Sequence, residues 1–435
     1  MASAQWFNRQ WQLIRPYGRQ VYYAVFPDRR PDYFRKPWTY AGGRLGVEPL
    51  DVTPTDNLAF FFLPMTDWHS RIQRSQQLAK ALAASGHQCV YVNPHLGLEY
   101  PRPYWFDGDT RFSKLSLRLL ELHVHLPREH ELSQRALTSA ESRRISTELE
   151  KLIEISGIRT AALIVSFPAW LEVAERLGRQ QGFPVIYDCH DWLPGFGRIA
   201  PHILDLERDL LKRADLVVFS SQDLMDRITA TLPIHLNCAL IRNATDLVIG
   251  EKAPKESGRD GERTIGYLGA LDAWFDVDAV AQMARDHPGW KFVLLGRMED
   301  RRILKLSEYE NVAFLGEVAH STIAAHLASW DVAMIPFLVN DLTVATNPIK
   351  LYEYFSAGLP VVSSRLPEVE LYPDLVYIAD TPREFSARLV QAVQEDTSLR
   401  KRRVSVSRRE TWSARAESLL NLITPLASKR NSSRI

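Results

Sequence analysis

The feature that most restricts the fold is an alternation that runs through the chain twice: short, unbroken apolar runs separated by stretches with helical periodicity. In the first half the apolar runs fall at 58–63, 89–92, 163–165, 185–187 and 216–219, with helical patterns at 70–84, 138–155, 168–181 and 202–213. In the second half the runs fall at 264–268, 292–295, 312–315, 332–336, 361–363 and 376–378, with helical patterns at 277–286, 301–306, 320–329, 348–357, 382–395 and 409–422. Runs that are apolar throughout, rather than at every second position, predict strands buried on both faces. Strand–helix–strand order requires crossover connections, so the class is α/β with doubly wound parallel sheets. Such sheets bind ligands at the carboxyl ends of their strands, and two of them can face one another across a central cleft.

The segment 250–262 is almost devoid of apolar residues and reads as the linker between the halves. The expected organisation is an extension over 1–55, a first domain over 56–248, a linker over 249–262, a second domain over 263–398, a helix over 399–425 crossing back to the first domain, and a tail over 426–435. A chain of 435 residues with 46% hydrophobic and 24% charged residues can bury cores of this size without disulfides or metal. The formal net charge of +1 gives no basis for nucleic-acid binding. The cysteines, Cys89, Cys189 and Cys238, lack metal-ligand spacing and read as buried small hydrophobes of a reducing compartment. The longest apolar run, 58–65, is far short of the roughly 20 residues that span a bilayer, and no secretory leader is recognisable. Residues 1–50 interleave arginines with aromatic residues. That composition suits either peripheral contact with an anionic membrane surface or packing on the first domain. The expected location is cytoplasmic, with peripheral contact at the inner face of the membrane as the alternative to packing of 1–50 on the first domain.

The most informative segment is 343–364, TVATNPIKLYEYFSAGLPVVSS. Asn347 can cap a helix whose first turn holds Pro348, and Gly358 with Pro360 ends it. Lys350 and Glu353 share one face near the helix start, where unpaired N–H groups favour phosphate. The lysine would add a cation and the glutamate an acceptor for ribose hydroxyls. Alternatively, the two form a surface ion pair.

This segment resembles the donor-binding helix of GT-B glycosyltransferases related to glycosyltransferase family 4, in the branch with an NPxKLxEYxxAGxPVV signature. Asn347, Pro348, Lys350, Leu351, Glu353, Tyr354, Ala357, Gly358, Pro360, Val361 and Val362 match it. The resemblance extends over most of 57–424, through the stretches 68–79, 187–191, 214–221, 241–246, 265–276, 294–297, 311–316 and 330–337. It implies a GT-B fold: two Rossmann-like domains facing a central cleft. It implies transfer of a sugar from a nucleotide-diphosphate sugar to a carbohydrate or lipid-linked acceptor in polysaccharide or glycan biosynthesis, with retention and without metal or other cofactor. Glu353 would bind the nucleotide ribose, and Gly269, Arg297, Asn347, Pro348 and Lys350 would complete the donor site. His190, assisted by Asp191, would approach the donor sugar. Asp67, Trp68 and Arg74, just after the first strand, would meet the acceptor. Two departures stand out: Ala345 occupies the position of a second glutamate found in many relatives, and the usual cation after the first donor-domain strand is missing around 273–275. A nucleotide-sugar epimerase of the same fold and a non-catalytic binding subunit are the alternative readings.

The isolated glycines Gly266, Gly269 and Gly296 permit close ligand approach but do not form a dinucleotide fingerprint. Asp276 and Asp278, spaced like a metal-binding DxD, read as a helix start.

Overall fold

A computed structural model of the protein describes residues 43–47, 49–50, 56–69, 71–94, 110–126, 131–232, 235–249 and 262–432. The expected linker is almost wholly outside the described residues, as is most of the extension with its expected membrane contact. The described piece of the extension packs on the first domain: Leu45 is buried, and its N–H donates to the Thr110 carbonyl at 2.8 Å.

The first half contains β1 (Ala59–Leu63), α1 (Arg74–Ala84), β2 (Cys89–Val92), β3 (Arg111–Ser116), β4 (Leu119–His123), α2 (Ser139–Ser156), β5 (Ala161–Val165), α3 (Leu171–Gln181), β6 (Val185–Cys189), α4 (Pro201–Arg213), β7 (Leu216–Phe219), α5 (Gln222–Thr231) and β8 (Cys238–Leu240). Its sheet has the order β3-β4-β2-β1-β5-β6-β7-β8. Every pairing is parallel except β3 with β4. The unbroken apolar runs have the predicted cause. Phe61 and Leu63 of β1 enter the core beneath α2 and α3, whereas Phe60 and Phe62 enter a separate core on the opposite face. Side chains alternate in direction along a strand, so a strand covered on both faces must be apolar at every position. The sequence reading missed β3, β4, β8 and α5. The strand β3 reads RFSKLS, a mixed edge sequence without a continuous apolar run.

The second half contains β9 (Thr264–Leu268), α6 (Val277–Asp286), β10 (Lys291–Leu295), β11 (Val312–Gly316), α7 (Ile323–Ser329), β12 (Val332–Ile335), α8 (Asp341–Val344), α9 (Ile349–Ser356), β13 (Val361–Ser364), α10 (Pro367–Glu370), β14 (Val376–Ala379) and α11 (Pro382–Val393). Its strands run parallel in the order β11-β10-β9-β12-β13-β14. Asp276 caps α6 by accepting from the Ala279 N–H at 2.9 Å, which is the helix-start role. The stretch expected as a helix at 301–306 is a 3-10 segment, Arg301–Glu308.

Two helices close the chain, α12 (Ser398–Ser407) and α13 (Trp412–Ser432). The second is the crossing helix: Trp412, Ala416, Leu419 and Ile423 pack into the core that holds Phe60 and Phe62. Among the described residues no helix is long and apolar enough to cross a membrane.

Candidate functional site

The donor half of the site begins where β9 and β10 end. Gly269 has φ 140° and Gly296 has φ 150°, conformations that L side chains rarely adopt. A Cβ on Gly296 would lie 1.9 Å from the Gly269 carbonyl oxygen, so the two strand ends approach only because Gly296 is bare backbone, whereas a Cβ on Gly269 would crowd the Lys350 side chain at 3.0 Å. Gly266 is different. Its missing Cβ makes room for the Trp330 ring, so it is a packing glycine rather than a point of ligand approach.

Helix α9 starts beside these strand ends and is pinned there by Tyr354, whose hydroxyl accepts from the Leu268 N–H at 2.9 Å. Lys350, in its first turn, holds its ammonium 4.5 Å from the Phe337 ring centroid and 5.3 Å from that of Tyr267. Desolvation lowers its pKa to about 8; Glu353 opposes that shift and the positive charge of Arg71 adds to it. One turn on, Glu353 is only 9% exposed. Desolvation raises its carboxyl to about 7 against the pull of Lys350. Among the described residues neither side chain has an ion-pair or hydrogen-bond partner. The surface ion-pair alternative is therefore overturned: these are two desolvated, opposite charges, Lys350 set over the Phe337 and Tyr267 rings and Glu353 without a side-chain hydrogen bond among the described residues.

The first domain brings His190 and Asp191 to the end of β6. The His190 Nδ1 lies 3.0 Å from the Asp188 carbonyl oxygen, which can only accept, so Nδ1 carries the proton and a neutral ring leaves Nε2 as acceptor. The Asp191 carboxylate lies 3.5 Å from Nε2. Desolvation raises the Asp191 carboxyl, His190, Arg71 and Arg74 pull it down, and Asp188 adds to the rise.

Arg71 was not singled out in the sequence. It occupies the loop after β1, exposed and with no partner for its guanidinium among the described residues. Its charge acts on Asp191 of its own domain and on Lys350 and Tyr267 of the other. The only sequence signal was a basic residue within the loop at 68–79 that resembles the family's first loop.

Several expected site residues are used otherwise. Asn347 does not cap α9; the cap position is Pro348. Asn347 is buried between the domains, accepting from the Asn243 N–H at 2.9 Å and donating to Glu368 Oε2 at 2.7 Å. Arg74 is 2% exposed, with Nε 2.8 Å from Asp188 Oδ1 and Nη1 3.1 Å from Asn243 Oδ1, so it is committed to the protein interior. Trp68 is buried edge-on to Tyr91, with ring centroids 5.0 Å apart. Asp67 is buried, accepting from the His69 N–H at 2.6 Å and from Asn93 at 3.2 Å. Asn93 also donates to Glu121, whose carboxyl is held well below the usual range: burial alone would raise it, but His123 and His69 outweigh burial. Arg297 lies on the surface, its Nε 3.0 Å from Glu299 Oε1. Ala345 is fully buried in the hydrophobic core of the first domain, where a glutamate would bring a carboxylate into apolar surroundings.

The domains meet around this site. Phe196 of the first domain lies edge-on to Trp274 of the second at 6.1 Å, and Arg198 reaches Asp272 at 2.9 Å.

Comparison with known proteins agrees with this architecture. Residues 72–244 match the family described as "Glycosyl transferase 4-like domain", and residues 262–395 match "Glycosyl transferases group 1". A relative is the teichuronic acid biosynthesis glycosyltransferase TuaH of Bacillus subtilis (strain 168), 23% identical over 253 residues, or 52% of this chain. That match spans 64% of the relative's length. Among solved structures, sucrose-phosphate synthase from Thermosynechococcus elongatus superposes with a TM-score of 0.66 at 16% identity, over 86% of this chain and 100% of that one. HepE from Anabaena, in complex with UDP-glucose, gives a TM-score of 0.58 at 14% identity, over 86% of this chain and 100% of that one. A UDP-forming trehalose-phosphate synthase from Burkholderia vietnamiensis gives 0.59 at 13% identity, over 87% and 99%. By fold, by both domain families and by the signature that opens α9, the chain belongs to the GT-B glycosyltransferases of the family 4-like type.

Proposed function

We propose that this protein transfers a sugar from a nucleotide-diphosphate sugar to a carbohydrate or lipid-linked acceptor in glycan biosynthesis. The observation that carries this reading is the pair Lys350 and Glu353: desolvated, without an ion-pair or hydrogen-bond partner among the described residues, and held beside two strand ends that lack side chains. An unpaired buried charge is costly unless a ligand completes it. A nucleoside diphosphate offers phosphate oxygens to the lysine and ribose hydroxyls to the glutamate. HepE, a neighbour in fold, is described with UDP and with UDP-glucose, and TuaH is described as a glycosyltransferase of teichuronic acid biosynthesis, which supports the substrate class.

As the sugar–phosphate bond breaks, negative charge grows on the departing diphosphate. Lys350, the unpaired N–H groups at the start of α9, and Arg71 from the opposite domain are the groups proposed to meet that charge. With this countercharge in place the transfer needs no metal. His190, with Nε2 free to accept when the ring is neutral, would hold a sugar hydroxyl. Retention at the anomeric carbon is proposed on the family resemblance.

The test is incubation of the protein with a panel of UDP-, GDP- and ADP-sugars and candidate acceptors, with and without chelator. Release of nucleoside diphosphate with formation of a glycoside of the donor's anomeric configuration, unchanged by chelator, is expected. An isomerised nucleotide sugar as the product would replace the reading with epimerisation. No nucleotide binding at all would end it.

A further inference from the structure

The residues that the sequence offered as ligand contacts, Arg74 and Asn347, are instead links in one continuous buried chain of hydrogen bonds. It begins at the His190 ring, whose Nδ1 donates to the Asp188 carbonyl at 3.0 Å. The Asp188 carboxylate receives Arg74 Nε at 2.8 Å, and Arg74 Nη1 donates to Asn243 Oδ1 at 3.1 Å. Asn243 then crosses to the second domain twice: Nδ2 donates to the Asn347 carbonyl at 2.6 Å and the backbone N–H donates to Asn347 Oδ1 at 2.9 Å. Asn347 Nδ2 donates to Glu368 Oε2 at 2.7 Å. Glu368 also faces back across the boundary, taking the Gln222 N–H at 2.9 Å and Arg242 Nε at 2.7 Å. Asp188, Arg74, Asn243, Asn347 and Glu368 are all buried.

A buried polar chain of this kind is a poor source of net stability, because each member is desolvated. It does select one arrangement strongly, since a shift of either domain leaves several buried groups unpaired. Its two ends explain why that selection matters. At one end the Asp188 backbone carbonyl fixes the ring of His190; near the other, Asn347 lies two residues before Ile349, where the turn that carries Lys350 begins.

We infer that the Asp188–Arg74–Asn243–Asn347–Glu368 chain is an interdomain positioning relay, which holds His190 and the start of α9 in working register. Its members are positioning residues; none contacts substrate. Binding of nucleotide to the second domain and turnover across the two domains are thus separable functions. The inference rests on the proposed reading of the site only for its turnover arm.

Asn347→Asp cuts the relay at one atom. The Asn243 N–H still has its acceptor, but the Nδ2 that faced Glu368 becomes an oxygen beside a carboxylate. Asn243→Ala removes a second link, the bonds to Arg74 and to the Asn347 carbonyl, without touching the bonds that Glu368 accepts from Arg242 and Gln222. Three measurements apply to the full chain: the radius of gyration by small-angle scattering, UDP and GDP affinity by calorimetry, and turnover with the active donor. Asn347→Asp is expected to expand the ligand-free particle and to lower turnover on the order of 10-fold to 100-fold. The affinity of whichever diphosphate binds should stay within about threefold. Asn243→Ala should do the same, and the variant carrying both changes should lose no more than the larger single loss, because both cuts break one relay.

A single variant as compact and active as the parent would overturn the inference. Losses that multiply in the double variant, in a protein that still binds nucleotide and melts cooperatively, would also overturn it. If the parent binds no nucleotide, the proposed function fails, and the scattering arm still decides the relay by whether both single variants expand and the double variant expands no further.

Discussion

At the scale of single residues, the site is defined by charges that find no ion-pair or hydrogen-bond partner among the described residues. In the proposed donor site Glu353 accepts two ribose hydroxyls best as a carboxylate, and Lys350 attracts phosphate as an ammonium. Glu353 is protonated as pH falls through about 7, and Lys350 loses its proton as pH rises through about 8. Nucleoside diphosphate affinity, followed by calorimetry from pH 5 to 10, should therefore peak between these values and fall on both sides. Glu353→Ala should cost roughly 1.5–3 kcal/mol of nucleotide binding, the scale of hydrogen bonds to a charged group, and should abolish the acid limb. The same glutamate opposes folding when ionised. Its pKa is raised in the native state, so the stability it allows is complete below its unfolded value and is lost as pH rises through about 7. Glu353→Gln should accordingly raise the melting temperature at pH 8 while weakening nucleotide binding. A melting temperature below that of the parent at pH 8 would contradict the desolvation argument. Arg71→Ala should lower turnover while leaving UDP affinity within about threefold, because its proposed role is to meet, from across the cleft, the charge that grows on the departing diphosphate. A loss of UDP affinity as large as the loss of turnover would remove Arg71 from that role.

At the scale of elements, the segment 343–364 was legible because its physics is local. The helix start, the spacing of Lys350 and Glu353 on one face, the stop at Gly358 and the following strand β13 depend on residues within a few positions of one another. The assignment of Asn347 as the cap failed because its partners, Asn243 and Glu368, are 104 and 21 positions away. A capping preference is a matter of about 1 kcal/mol and yields to a buried amide with several bonds. The ends of β9 and β10 carry a prediction of their own. Gly296→Ala forces a Cβ toward the Gly269 carbonyl at a left-handed φ, so the strand ends must separate. The substitution is expected to destabilise the protein by more than about 1 kcal/mol in chemical denaturation and to weaken nucleotide binding. A variant with unchanged midpoint and affinity would show that the strand ends have room to spare.

At the scale of the molecule, the halves are joined by more than the relay. Helix α13 leaves the second domain and inserts Trp412, Ala416, Leu419 and Ile423 into a core of the first. Arg430 near its end reaches Asp215 at 2.6 Å. The Trp412 indole is fully buried, and its backbone N–H donates to Asp246 Oδ1 at 2.9 Å. Trp412→Ala should cost about 3–5 kcal/mol, the range for emptying an aromatic core position. Because the cavity opens in the first domain, the loss should appear in hydrogen exchange of β1 and α1 before it appears in β9 and β10; uniform loss across both domains would argue against this placement.

The sequence by itself determined the alternation of strands and helices, the doubly buried sheets and the local design of α9, because apolar periodicity, turn residues and side-chain spacing act over a few residues. The tertiary structure alone decided that Arg74 and Asn347 face inward, that Ala345 belongs to the core of the other domain, and that Arg71 stands across from Lys350. Those outcomes depend on which desolvated group meets which partner, and such meetings are set by the packing of two sheets against each other over separations of more than a hundred residues.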